Sequence, residues 1–127
     1  MKIAKQKGDR LLFRKEATTK RKSSLSPFCM KLSSGEKYTR LFSKKDGSAI
    51  SLRSGCVVLM PGENVGEHST EAEEELLIIL EGKGKLSLGK TAELDIEKDS
   101  AVYIPPRTLH DVKNTGKEGL KYVFVTA

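Results

Sequence analysis

An all-β sandwich or barrel is the fold class that this 127-residue sequence predicts, and three observations predict it. Short apolar runs recur from Tyr38 onward, each closed within a few residues by Gly, Pro, Asn or Asp. No stretch of that segment sustains helical periodicity over three turns. Lys85–Leu88 and Ala92–Ile96 each alternate apolar with polar residues around a turn at Gly89-Lys90, the pattern of a half-buried strand pair.

The elements follow in chain order. Residues 1–24 are polar and weakly patterned, with Leu11-Leu12-Phe13 as their one apolar cluster, either a short strand or an arm packed on the body. Lys20–Ser24 reads as an exposed loop, and Ser26–Met30 as a further short strand. Tyr38–Phe42 is a strand closed by the turn Lys45-Asp46-Gly47. Ile50–Leu52 leads into a strand over Cys56–Met60, which Pro61-Gly62 ends. Glu75–Leu80 is a continuous apolar strand. Ala101–Ile104 is a strand stopped by Pro105-Pro106, and Leu109–Val112 and Leu120–Val125 are the last two, split by Asn114-Thr115-Gly116. The chain divides into a basic N-terminal arm with short strands, residues 1–37, and one β-barrel, residues 38–127. No internal repeat points to a solenoid.

Composition bounds the function. Hydrophobic residues make up 37% and charged residues 31%, as in an ordinary globular domain, and the length closes a single core. The longest apolar run, Leu76–Leu80, is far too short to span a bilayer. The basic N-terminus lacks the apolar stretch of a secretory signal, so no membrane partner and a cytoplasmic location are expected. Cys29 and Cys56 stand in no metal-binding or redox spacing and are read as free thiols, with Cys56 buried in a strand. Residues 1–45 carry 14 Lys/Arg against 3 Asp/Glu, whereas residues 46–127 carry 9 against 14. The basic residues form no dense block and accompany no nucleic-acid-binding motif, so a solvated face is expected rather than a nucleic-acid footprint.

The chemistry lies in the chain's two histidines. His68 and Thr70 share a strand face by alternation, Glu75 begins the next strand beyond a polar turn, and His110 opens a strand after the Pro-Pro loop. Two imidazoles and a carboxylate on adjoining strands suit one divalent metal ion. The same imidazole pair without metal would bind a polar ligand by hydrogen bonds. Glu71, Glu73 and Glu74 crowd the adjoining loop and read as a solvated acidic turn.

These residues resemble the two sequence motifs of the cupin family. Gly62, His68, Thr70, Glu75 and Gly82 keep every interval of the first motif, G-(x)5-H-x-H-(x)3,4-E-(x)6-G. Glu74 fits the shorter gap, but Glu81 rather than a glycine then follows at the required distance. Asp99, Pro105, Arg107, His110 and Asn114 stand at the positions of the second motif, G-(x)5-P-x-G-(x)2-H-(x)3-N, and 16 residues separate the two. The resemblance implies a single cupin-type double-stranded β-helix, or jelly-roll, barrel. It implies a divalent metal (Fe, Mn, Zn or Ni) held by His68, Glu75 and His110, a small-molecule ligand, and a homodimer. Sugar-derivative isomerase or dioxygenase chemistry is then expected, with a non-catalytic small-ligand or metal sensor, or an empty scaffold barrel, as the rival readings.

The departures from the family pattern are informative. Thr70 replaces the usual second metal-binding histidine, and is expected to line an open position where its hydroxyl meets a bound water. Arg107 replaces a glycine, which implies a different turn or strain on the order of 1 kcal/mol. It places a cation at the barrel mouth for an anionic substrate, or else is solvated. Asp99 for glycine is more easily absorbed by a turn. Tyr103 and Tyr122 are expected either to line the barrel with a polar tip or to pack in the core.

Overall fold

The computed structural model describes residues 25–33 and 35–127. The expected arm therefore falls largely outside the described residues, as do the Leu11–Phe13 cluster and the Lys20–Ser24 loop. The regular structure of the described residues is one 3-10 turn, Lys44–Asp46, and nine strands: β1 Tyr38–Ser43, β2 Arg53–Leu59, β3 His68–Ser69, β4 Glu75–Glu81, β5 Lys83–Leu88, β6 Ala92–Glu97, β7 Ser100–Ile104, β8 Leu109–Lys113 and β9 Leu120–Thr126. They pair antiparallel in two sheets, one in the order β1-β2-β9-β4-β7 and one in the order β3-β8-β5-β6. This is the all-β sandwich that the strand pattern predicts, in the double-stranded β-helix form that the resemblance implies. No described helix is long and apolar enough to cross a membrane.

Most strands stand within two residues of their expected bounds, and two segments do not. Ser26–Met30 forms no strand, and Phe28 instead sets its ring edge-on to Phe42 at 5.0 Å. Ile50–Leu52 forms none either, leaving Ile50 78% exposed, while β2 begins at Arg53 and runs through Ser54-Gly55, which resemble turn residues. Gly55 sits mid-strand because the Tyr38 and Phe124 rings stack there. A Cβ at that position would lie 2.7 Å from Phe124 and 2.8 Å from Tyr38.

Strand register sorts the inner face of the five-stranded sheet into rows. Leu59 pairs with Leu120, and in the next row Val57 with Tyr122 and Tyr122 with Ile79. Gly55, Phe124, Leu77 and Val102 form the row after that. The last row is Arg53, Thr126, Glu75 and Ile104. The first three rows meet Leu86, Ile96 and Val112 of the other sheet in a single apolar core. The last row is largely polar, and there the sandwich opens. On the outer face Leu76, Ile78 and Tyr103 are exposed, so the apolar run of β4 buries only alternate residues.

Both glycine positions lost from the second motif keep a left-handed backbone, Asp99 at φ 67° and Arg107 at φ 53°. Of the two outcomes open for Arg107, the structure holds the strained one, and its N–H donates to the Glu71 carbonyl at 2.7 Å. Asn114 is fully buried and binds three segments together. Its amide donates to the carbonyls of Leu59 and Glu118, each at 2.8 Å, and its oxygen accepts from the Gly116 N–H at 2.8 Å.

Two stability outcomes follow from these contacts. Replacing Asn114 with alanine strands buried carbonyls and is expected to cost about 2–4 kcal/mol in urea unfolding. Asn114→Asp is no rescue, since it points carboxylate oxygens at two carbonyls. Arg107→Gly relieves the left-handed strain and is expected to raise stability by about 0.5–1 kcal/mol.

Candidate metal centre

The open end of the sandwich holds a cavity of about 420 Å³ between the two sheets. Its polar wall is built by pairing. β3 and β8 run antiparallel with His68 directly opposite His110, and the two rings lie 4.3 Å apart, tilted by 59°. Glu75 reaches the same point from β4 on the facing sheet. One potential ligand atom from each of His68, Glu75 and His110 lies within 4.8 Å of the others. His110 is 1% exposed and Glu75 8%, whereas His68 is exposed at the mouth.

Hydrogen bonding orients both imidazoles in the same way. His68 Nδ1 lies 2.8 Å from the Gly66 carbonyl and His110 Nδ1 lies 3.0 Å from the Thr108 carbonyl. A carbonyl oxygen only accepts, so both Nδ1 atoms carry the proton and donate. That leaves Nε2 of each ring as the atom free to ligate, and the one of His110 faces Glu75. His110 Nε2 is buried, lies 3.2 Å from Glu75 Oε1, and has no aligned hydrogen-bond partner. A lone pair held against a carboxylate is repelled unless a proton or a cation comes between them. The donor set, two imidazole nitrogens and one carboxylate, is one that divalent iron, manganese, zinc or nickel accepts, so the residues fit a metal.

Electrostatics agree with this reading. Burial opposes the charged form of His110, but the Glu75 carboxylate and the Thr108 carbonyl outweigh it, and the pKa stands above the ordinary histidine value. Tyr122, on the cavity wall, is held as a phenol by burial first and by nearby Glu75 second. Its hydroxyl has no hydrogen-bond partner among the described residues.

The other expected site residues are placed unequally. Thr70 lines the cavity, but its hydroxyl donates to the Pro105 carbonyl at 2.7 Å and accepts from the Thr108 N–H at 3.1 Å. It therefore stitches the end of β3 to the loop that carries the Thr108 carbonyl, and so bears on His110 through that loop. Tyr103 and Arg107 do not line the cavity. Tyr103 alternates outward on β7, 59% exposed, and donates to Glu74 at 2.6 Å. Arg53, Glu67, Phe124 and Tyr38 line the cavity without having been singled out in the sequence. Arg53 was legible by alternation: counting back by twos from the inward Val57 passes Gly55 and reaches Arg53, provided the strand crosses Ser54-Gly55.

The comparisons with known proteins agree with this architecture. Residues 55–126, more than half of the chain, match the family model described as "Cupin domain". An uncharacterized protein of Methanocaldococcus jannaschii is 37% identical over 54 residues, which cover 42% of this chain and 42% of that protein. The chain spans less than half the length of the curated relatives it matches. Among solved structures, an RmlC-like cupin family protein with a double-stranded β-helix fold from the same organism superposes with a TM-score of 0.66 at 18% identity, covering 80% of this chain and 90% of that one. A predicted oxalate decarboxylase from Thermotoga maritima superposes with a TM-score of 0.61 at 25% identity, covering 70% and 76%.

A pH dependence follows from the raised pKa of His110. Its folded-state value exceeds the unfolded one of ~6.5, so the imidazolium–carboxylate pair contributes full stability below that pH and loses it as pH rises through the raised value. Metal-free protein in a chelator is expected to melt at a lower temperature at about pH 8 than at about pH 6, and Glu75→Gln to flatten that difference. Thermal melts across the range check it.

Proposed function

This chain belongs to the cupin family, and from that premise we propose that it binds one divalent metal ion through His68, Glu75 and His110 and acts on a small polar molecule in the adjoining cavity. The observation that carries the reading is His110 Nε2, buried, 3.2 Å from the Glu75 carboxylate and without an aligned hydrogen bond to it. Bound there, the ion supplies Lewis-acid polarisation of a substrate oxygen or, as iron(II), activation of dioxygen, the chemistry of sugar-derivative isomerases and dioxygenases respectively.

The chain's own residues prepare that site. The Gly66 and Thr108 carbonyls hold both imidazoles in the ligating tautomer, so neither ring has to change tautomer to bind. Glu75 adds the negative charge that offsets a cation in a largely water-excluded place. Tyr122, kept protonated, offers its O–H as a hydrogen-bond donor to a ligand oxygen. Val57, Val112 and Phe124 close the inner end of the cavity with apolar surface. The likeness to a predicted oxalate decarboxylase supports turnover of a small molecule.

The rival reading, a non-catalytic small-ligand or metal sensor, is favoured by one observation. The Thr70 hydroxyl is already engaged and Tyr122 is held as a phenol, so the lining offers only Glu67 and Glu75 as carboxylate bases. Metal analysis tests the site itself. Protein made without a histidine tag and supplemented with manganese, iron, zinc or nickel is expected to hold roughly one equivalent and to melt at a higher temperature than the metal-free form. His110→Ala is expected to hold less than about one-tenth equivalent and to lose that stabilisation. Uptake below about one-tenth equivalent by the wild type, with an unchanged melting temperature, overturns the reading. Turnover of sugar phosphates, uronates or diketones by the loaded protein separates enzyme from sensor.

A further inference from the structure

We propose that the cavity takes a small carboxylate with an apolar body, its anion held by the Arg53 guanidinium and its body laid against Phe124 and Tyr38. The inference rests on the cavity being a small-molecule site, and it stands whether or not a metal is bound.

Arg53 is out of keeping with its surroundings. The inner face of β2 is otherwise apolar, with Gly55, Val57 and Leu59 following it inward. Arg53 shares its row with Thr126 and Glu75 on the two neighbouring strands, so its Cα lies two strand spacings, about 10 Å, from that of Glu75. Its side chain does not close on Glu75. The guanidinium carbon lies 5.3 Å from the centre of the Phe124 ring. Among the described residues its guanidinium forms no ion pair and no hydrogen bond, while its backbone is paired between β1 and β9. An aromatic platform thus holds a planar cation on the cavity lining with its N–H fork unused.

The rest of the wall selects among anions. Tyr38 and Phe124 stack at 6.1 Å over the bare backbone of Gly55, and with Val57 and Val65 they supply the apolar part of the lining. Glu67 and Glu75 also line the cavity, so among the described lining residues one guanidinium is the only fixed positive charge against two carboxylates. A doubly charged phosphate is disfavoured there, and a singly charged carboxylate that matches the fork bidentately is not. In the bound pose the carboxylate sits at Arg53, the body spans the aromatic pair, and the far end points to His68 and His110.

The test uses benzoate and phenylacetate against their neutral amides, benzamide and phenylacetamide, titrated calorimetrically into chelator-treated protein. The wild type is expected to bind at least one acid roughly tenfold or more tighter than its amide. Arg53→Gln is expected to erase that preference, chiefly by weakening the acid, in a protein whose cooperative thermal melt shows that it is folded. Arg53→Lys, which keeps the charge but loses the fork, is expected to fall between them. A wild type that fails to prefer acid over amide overturns the proposal, and so does a preference that survives in Arg53→Gln. The two readings fail separately. Acid preference without metal uptake removes the metal centre alone, and metal uptake without acid preference removes this inference alone.

Discussion

The site depends on a single opposition, between the lone pair of His110 Nε2 and the carboxylate of Glu75. Neither group can turn away. Thr108 holds the far side of the imidazole through Nδ1, Thr70 holds the loop that carries Thr108, and Glu75 opens β4, paired with Ile104 on one side and Thr126 on the other. Two acceptors this close in a largely dry place are tolerable only with positive charge between them. A proton or a divalent ion meets that demand equally in sign, and the Glu75 carboxylate and Thr108 carbonyl, outweighing burial, raise the affinity of His110 for a proton.

The placement of this opposition follows from β geometry. Register carries one row of the five-stranded sheet through Arg53, Thr126 and Glu75, and every deeper row is apolar apart from the Tyr122 hydroxyl. The apolar rows exclude water and hold the two sheets together, and the last row inherits a defined position from them. Asn114 serves the same end from below, joining Leu59, Glu118 and Gly116 under the strand that presents His110. The motif's final residue is thus a structural clasp rather than a contributor to the chemistry.

Intervals were the legible part of the sequence. Glycines at 62 and 82 take positive φ, the two histidines fall opposite each other, and Glu75 meets them, all at distances countable along the chain. Features set by contacts across strands were not countable in this way. Gly55 fell outside the expected strand, Cys56–Met60, because its place there depends on the Tyr38 and Phe124 pair, which are distant in sequence. Arg53 was hidden by the same boundary, since starting the strand at Cys56 removes the alternation that turns it inward. Tyr103 drew notice as an aromatic near the second motif, and only its parity on β7 shows that it faces outward. Thr70 stood at a ligand position by spacing, and the partners that occupy its hydroxyl lie 35 and 38 residues away.

The two imidazoles are unequal in exposure, one sealed and one at the mouth. For an ion held between them this gives an order of release: the His68 bond is the first that solvent or a chelator can reach, while the His110 side stays shielded. Exchange would then begin at the outer ring. A guest large enough to cover His68 would act as a stopper, slowing escape of the ion without touching it.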